Sequence, residues 1–245
     1  MQPPLEQSVY PAPLRPEEVR AALQPNQFGS ETYTACQPGL PALPLTLAEM
    51  ELLLQEPVID LGAIAEVAKR DASLAARLLL LANHDREASD RFYRIEDCLV
   101  QLGTAALRQL VRKTPSLGAS DWRGGALQSH SRQTALAAEA IAFHVPSADP
   151  EQAYLAGLLH LFPELFPREI RVEERAAIFG GSDVWPLPAF ILEVIRGFRH
   201  PFVVSGRESL LCSVVLAACE WVSQSVSERS PESPLRPNSH LTKAP

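Results

Sequence analysis

Six histidines are spread along the 245-residue chain, and three of them stand where an imidazole could do chemistry. His130 lies within a long Ala-rich helical pattern, His160 ends the apolar run LAGLLH, and His200 follows the helical stretch that opens at Pro188. Imidazole titrates near neutrality and is a common nitrogen ligand for transition metals. Three imidazoles carried on three helices could therefore make a metal site inside a bundle, with carboxylates as further ligands. Taken singly, each reads first as a hydrogen-bonded structural or surface histidine. His84 and His144 sit near helix ends, where the dipole accounts for them, and His240 falls in a polar tail.

The other chemical templates are absent. There is no GxGxxG or GxxxxGK[ST] to cradle phosphates, and neither GxSxG nor HExxH appears. Gly180-Gly181-Ser182 could present backbone N–H groups to a phosphate but reads as a helix stop. Arg196 and Arg199 could pair with a phosphate, and a solvated helix face explains them equally well. Four cysteines (Cys36, Cys98, Cys212, Cys219) include no CxxC pair and are too scattered for a disulfide framework. Cys212 and Cys219 read as small core residues of an apolar helix, and Trp122, Trp185 and Trp221 as rings buried in the bundle. A formal charge of −7 argues against a nucleic-acid partner, which a basic stripe would announce.

The elements that must position these residues are helical almost throughout. Thr46 with Glu49 makes a capping box ahead of Leu47, Met50, Leu53 and Leu54, and Pro57 closes that segment. Asp60 caps a second helix with Leu61, Ile64, Val67 and Ala68 inward, and Lys69 and Arg70 sit at its negative end. Asp71 opens a third, with Leu74, Leu78 and Leu81 at helical spacing and Asn83 as its C-cap. An Asp71–Arg77 pair could form within it, and Asn83-His84-Asp85 reads as an exposed contact point. Residues 95–102 and 104–113 give two short helices divided by Gly103 and stopped by Pro115. Residues 125–145 form a long helix, and Asp149-Pro150 starts another. A helix over 170–179 ends at Gly180, one begins at Pro188 and runs through Phe198, and Ser205 with Glu208 caps the last. Strand signals are nearly absent, so the fold class is all-α.

Proline divides the chain. Of 22 prolines, nine fall in residues 1–44 and four in 231–245. Residues 1–38 read as a Pro-rich extension with a short helix from Pro16, and 227–245 as a disordered tail. Between them, 39–226 reads as one domain, with an N-terminal helical part (39–115) and a second part (116–226). No apolar run reaches the roughly 18 residues of a membrane span. The start MQPPLEQSVYPAPLRP lacks the features of a signal peptide, so the expectation is a cytoplasmic protein without membrane insertion.

Several segments recur together in one known family. LPALP (40–44), RDASLAARLLLLAN (70–83), IEDCLVQLG (95–103), LAGLLH (155–160) and WPLPAFILEVIRGFRHP (185–201) stand in order, with Trp122 and His130 between the third and fourth. The stretch 39–225 resembles the HD-related output domain, HDOD, of bacterial signalling proteins. The resemblance implies a multi-helix bundle in which an N-terminal helical subdomain packs on a degenerate HD-phosphohydrolase subdomain. True HD phosphohydrolases hold metal with a first His, a His-Asp pair and a later Asp. By this resemblance His130 matches the first His and His160 the His of the pair, while the Asp of the pair falls on Leu161. His200 matches a further histidine of some HD enzymes, and the last Asp falls near Glu220.

Leu161 is the departure that matters. Leucine has no lone pair, and losing the hardest ligand weakens Mg²⁺, Mn²⁺ or Fe²⁺ most. The bridging hydroxide of a two-metal site goes with it. His130, His160, Leu161, His200 and Glu220 are therefore expected to be vestigial site positions, with no metal, cofactor or catalytic residue. The resemblance implies a non-catalytic signal-transduction output or scaffold module working through protein partners. The alternatives are a residual single-metal phosphohydrolase on a nucleotide or cyclic dinucleotide, and a sensor holding a small ligand in the vestigial pocket. No receiver, cyclase or phosphodiesterase domain is recognisable, so the input is expected from a partner chain or a ligand.

Overall fold

In a computed structural model that describes residues 39–166, 185–199 and 210–228, an extended strap leads into the first helix. Within the strap the Ala42 N–H donates to the Pro115 carbonyl (2.9 Å) and the Leu117 N–H to the Ala42 carbonyl (2.7 Å). These bonds form a single parallel bridge, Ala42 to Ser116, and no strand is present among the described residues. Eight α-helices follow there: α1 (Pro44–Gln55), α2 (Leu61–Lys69), α3 (Ala72–Ala82), α4 (Ile95–Lys113), α5 (Trp122–Phe143), α6 (Pro150–Leu159), α7 (Ala189–Arg199) and α8 (Leu210–Glu228). The all-α expectation holds. No helix among the described residues is long and apolar enough to cross a membrane.

Helices α1 to α4 pack on one another, and every residue of α3 is buried. A helix apolar all round must be covered all round. Helix α3 meets α4 and α2 on one side and α5, α6 and the 3-10 turn Phe162–Leu165 on the other. It thus joins the two halves. In the second half α5 lies against α6 and α8, around a small core that includes Ala138, Ala156, Val215 and Ala218.

Local signals explain most boundaries. The carboxylates of Asp60, Asp71 and Asp149 accept backbone N–H bonds at the starts of α2, α3 and α6. Asn83 ends α3, and its side chain both donates to the Phe92 carbonyl and accepts the Phe92 N–H. It is fully buried, so it does not belong to an exposed contact point. Gly103 takes φ 70°, a left-handed conformation that only glycine adopts cheaply, and its kink divides α4 into the two helical segments expected there. Lys69 pairs with Glu96 at 2.6 Å, tying α2 to α4.

The Thr46–Glu49 capping box does not form. Helix α1 starts three residues earlier, at Pro44, with Leu43 in place of Thr46 as N-cap and no side-chain cap bond. Glu49 instead accepts from Arg70, and the Leu43 N–H is taken by Asp71 Oδ2 at 2.6 Å. Asp71 is the centre of a buried polar knot. Its Oδ1 accepts from the Leu74 N–H (3.0 Å) and Gln128 Nε2 (3.3 Å), while Gln128 Oε1 accepts the Ala72 N–H (2.9 Å). Burial raises the Asp71 pKa, against the pull of the N–H groups of Leu43, Leu74 and Ser73 and of Gln128. No Asp71–Arg77 ion pair is present among the described residues. The Arg77 guanidinium donates from Nε (2.9 Å) and Nη2 (2.7 Å) to the Leu40 carbonyl, which fastens the strap to α3.

Tryptophan burial also differs from expectation. Trp185 packs on Phe162 and Phe166. Trp122, at the start of α5, and Trp221, on α8, are 76% and 62% exposed, because each falls on the solvent side of its helix. The expected short helix from Pro16, the helix over 170–179, Gly180-Gly181-Ser182 and the Ser205–Glu208 cap lie outside the described residues.

Candidate functional site

Gly157 sets the geometry of the second half. A Cβ at this position would stand 2.9 Å from Ala135 Cα, 3.0 Å from the Thr134 carbonyl oxygen and 3.1 Å from Ala135 N. Only glycine lets the α6 backbone lie this close to that of α5. His160 follows Gly157 by about one turn, and His130 precedes Thr134 by about one turn. The close crossing therefore brings the two imidazoles together, with ring centroids 5.4 Å apart. Cys219 approaches from α8, its Sγ 3.4 Å from His130 Nε2. One donor atom each from His130, His160 and Cys219 lies within 4.8 Å of the other two.

The protonation of His160 follows from its contacts. Nδ1 is 2.6 Å from the Gly157 carbonyl oxygen, which can only accept, so Nδ1 carries the proton and Nε2 holds the lone pair. That Nε2 is buried and has no hydrogen-bond partner among the described residues, in a residue 1% exposed. An acceptor left this way costs about 1–3 kcal/mol. The Phe198 ring packs on the imidazole with centroids 4.8 Å apart. Burial lowers the His160 pKa to about 4; the Gly157 carbonyl opposes this shift and the neighbouring His130 adds to it. Burial likewise lowers the pKa of His130 and raises that of the Cys219 thiol. Near neutral pH the cluster thus holds two neutral imidazoles and a protonated thiol. Thr134 Oγ1 also lies 3.5 Å from His130 Nε2.

The family model of the HDOD domain matches residues 40–179, more than half of the chain. The chain belongs to the HDOD family. Two solved structures are similar to this HDOD chain in fold. One is the MmoQ response regulator from Methylococcus capsulatus, with 16% identity and a TM-score of 0.60, covering 77% of this chain and 88% of that one. A fragment of the same regulator (20–298) gives 19% identity and a TM-score of 0.59, covering 79% and 87%. No curated protein sequence matches the chain.

Of the four expected HD positions among the described residues, the HDOD chain brings together the two histidines. His130 and His160 converge, as the resemblance implied. Leu161 follows as the half-buried N-cap of the 3-10 turn, with no donor atom in its side chain. Glu220 does not join the cluster: it is exposed on α8, where its Oε1 accepts from Gln224 at 3.3 Å. His200 lies outside the described residues. Sequence reasoning missed Cys219, the neighbour of Glu220, because it treated the cysteine as packing. It is only half-buried, beside His130. The apolar stripe Val215, Ala218, Val222 fixes which side of α8 faces α5 and could have pointed to Cys219. The hard, carboxylate-bridged metal pair of the HD arrangement does not fit this donor set.

Proposed function

We propose that this HDOD chain is a non-catalytic module of signal transduction that works through protein contacts, with a surface between helices α1–α4 and the α5–α8 half. One observation carries this reading. Where an HD phosphohydrolase needs carboxylates beside its histidines, the chain has Leu161, and Glu220 points to solvent. Two-metal hydrolysis requires oxygen ligands that bridge the ions and hold a hydroxide between them. Imidazole and thiol donors supply none. Membership of the HDOD family supports a signalling role.

The test is hydrolysis of nucleotides and cyclic dinucleotides by the full chain with Mg²⁺, Mn²⁺ or Fe²⁺, beside a His130→Ala, His160→Ala double variant. The expected result is equal, background turnover in both. Turnover by the native chain that disappears in the variant would overturn the reading and favour a residual hydrolase. Crosslinking in cells, with photoreactive side chains placed at positions 94 and 151, which face each other across the two halves at 3.2 Å, is expected to trap a signalling protein.

A further inference from the structure

We propose that His130, His160 and Cys219 form a binding site for a single zinc-class cation, which ties α5, α6 and α8 together. Two independent observations meet here. The three donor atoms lie within 4.8 Å of one another on three different elements. In addition, the His160 Nε2 lone pair is buried without a partner, while its Nδ1–H is anchored on the Gly157 carbonyl. A metal-binding histidine commonly has this arrangement, in which a second-nitrogen hydrogen bond to a carbonyl fixes the tautomer and aims the lone pair.

The distances suit the ion. Tetrahedral zinc with bonds of about 2.0–2.1 Å to nitrogen and about 2.3 Å to sulfur separates its ligands by roughly 3.3–3.6 Å. The His130 Nε2 to Cys219 Sγ distance of 3.4 Å already falls in that range. Small side-chain rotations bring in His160. Donor chemistry sets the selectivity: two imidazoles and a thiolate favour Zn²⁺ over Mg²⁺ or Mn²⁺, which prefer oxygen. Binding displaces the thiol proton to solvent, so one proton is released as the Zn–S bond forms. Three protein ligands leave a fourth position for water. The proposal does not depend on the absence of catalysis, because its readout is binding.

The test uses the full chain, reduced and stripped of metal, titrated with Zn²⁺ against a chromophoric chelator and separately with Co²⁺. One equivalent should bind, and the cobalt form should show a thiolate-to-cobalt charge-transfer band. Cys219→Ser and His160→Gln should each weaken Zn²⁺ binding at least tenfold, and Cys219→Ser should abolish the band, with helical circular dichroism unchanged. Cys36→Ser should keep both affinity and band. If either site variant fails to fold, Cys219→Asp provides the second reading: the band is lost and preference moves from Zn²⁺ towards Mn²⁺. Failure to compete with the chelator would overturn the proposal and leave Cys219 and His130 as a simple hydrogen-bonded pair. So would a charge-transfer band that survives Cys219→Ser.

Discussion

Replacing Gly157 by alanine tests the crossing on which the His130–His160 pairing depends. The new methyl would meet the α5 backbone at 2.9–3.1 Å, where carbon atoms rest at about 3.5–4.0 Å. The obstructing atoms are main chain, so no side chain can swing aside and the helices must part by roughly 0.5–1 Å. Overpacking of this kind costs about 1–3 kcal/mol, and the better helix propensity of alanine returns about 1 kcal/mol. With unyielding backbone opposite, the net loss should be about 1–2 kcal/mol, a fall in Tm of roughly 2–8 °C. A Cβ added at Gly125, on α5, would have nothing within 4 Å, so Gly125→Ala should gain up to about 1 kcal/mol. Helix propensity alone gives both substitutions the same sign; the crossing gives them opposite signs. Thermal and urea unfolding of the two variants beside the parent decide it. A Gly157→Ala chain as stable as Gly125→Ala would refute the close approach and the site geometry built on it.

Two further outcomes follow from the polar contacts of the first half. Asp71→Ala removes an N-cap and strands the Leu43 N–H, and should cost about 2–4 kcal/mol, read as a lower urea midpoint with unchanged m. A loss below about 0.5 kcal/mol would mean that the knot contributes little beyond ordinary packing. Burial pushes the Glu96 carboxyl up, but the hydrogen bond and charge of Lys69 outweigh it and leave its pKa below the usual value of 4.5. The stabilisation this carboxylate brings is full above that value and disappears as pH falls through its folded-state pKa. The stability gap between the parent and Glu96→Gln should therefore shrink as the pH is taken from neutral to below 4.5. A gap that stays constant would assign the effect to shape rather than charge.

What could be read from the residues was mostly local. Asp60, Asp71 and Asp149 cap helices because the bond each makes spans only two or three residues. Gly103 is legible for the same reason, since its conformation is a property of one residue. The Thr46–Glu49 box failed because distant groups intervened: Asp71 caps the Leu43 N–H from 28 residues away, and Arg70 takes Glu49. The site was legible to within a single step of α8. Neighbouring residues project about 100° apart on a helix, so exchanging Glu220 for Cys219 turns the expected ligand from solvent to the bundle. Trp122 and Trp221 show the same limit, because residue type favours burial but the face of the helix decides it.

The strap has a consequence for timing. Its anchors join Leu40 to Arg77, Leu43 to Asp71 and Ala42 to residues 115–117, pairs separated by 28 to 75 positions. Single helices form within about a microsecond, whereas contacts between distant segments must wait for the intervening chain to close. The strap can therefore be complete only once α3 and the end of α4 are in place. Groups that engage after the folding barrier slow unfolding far more than they speed folding. The few hydrogen bonds at the domain's entrance thus act chiefly on how long the folded chain persists.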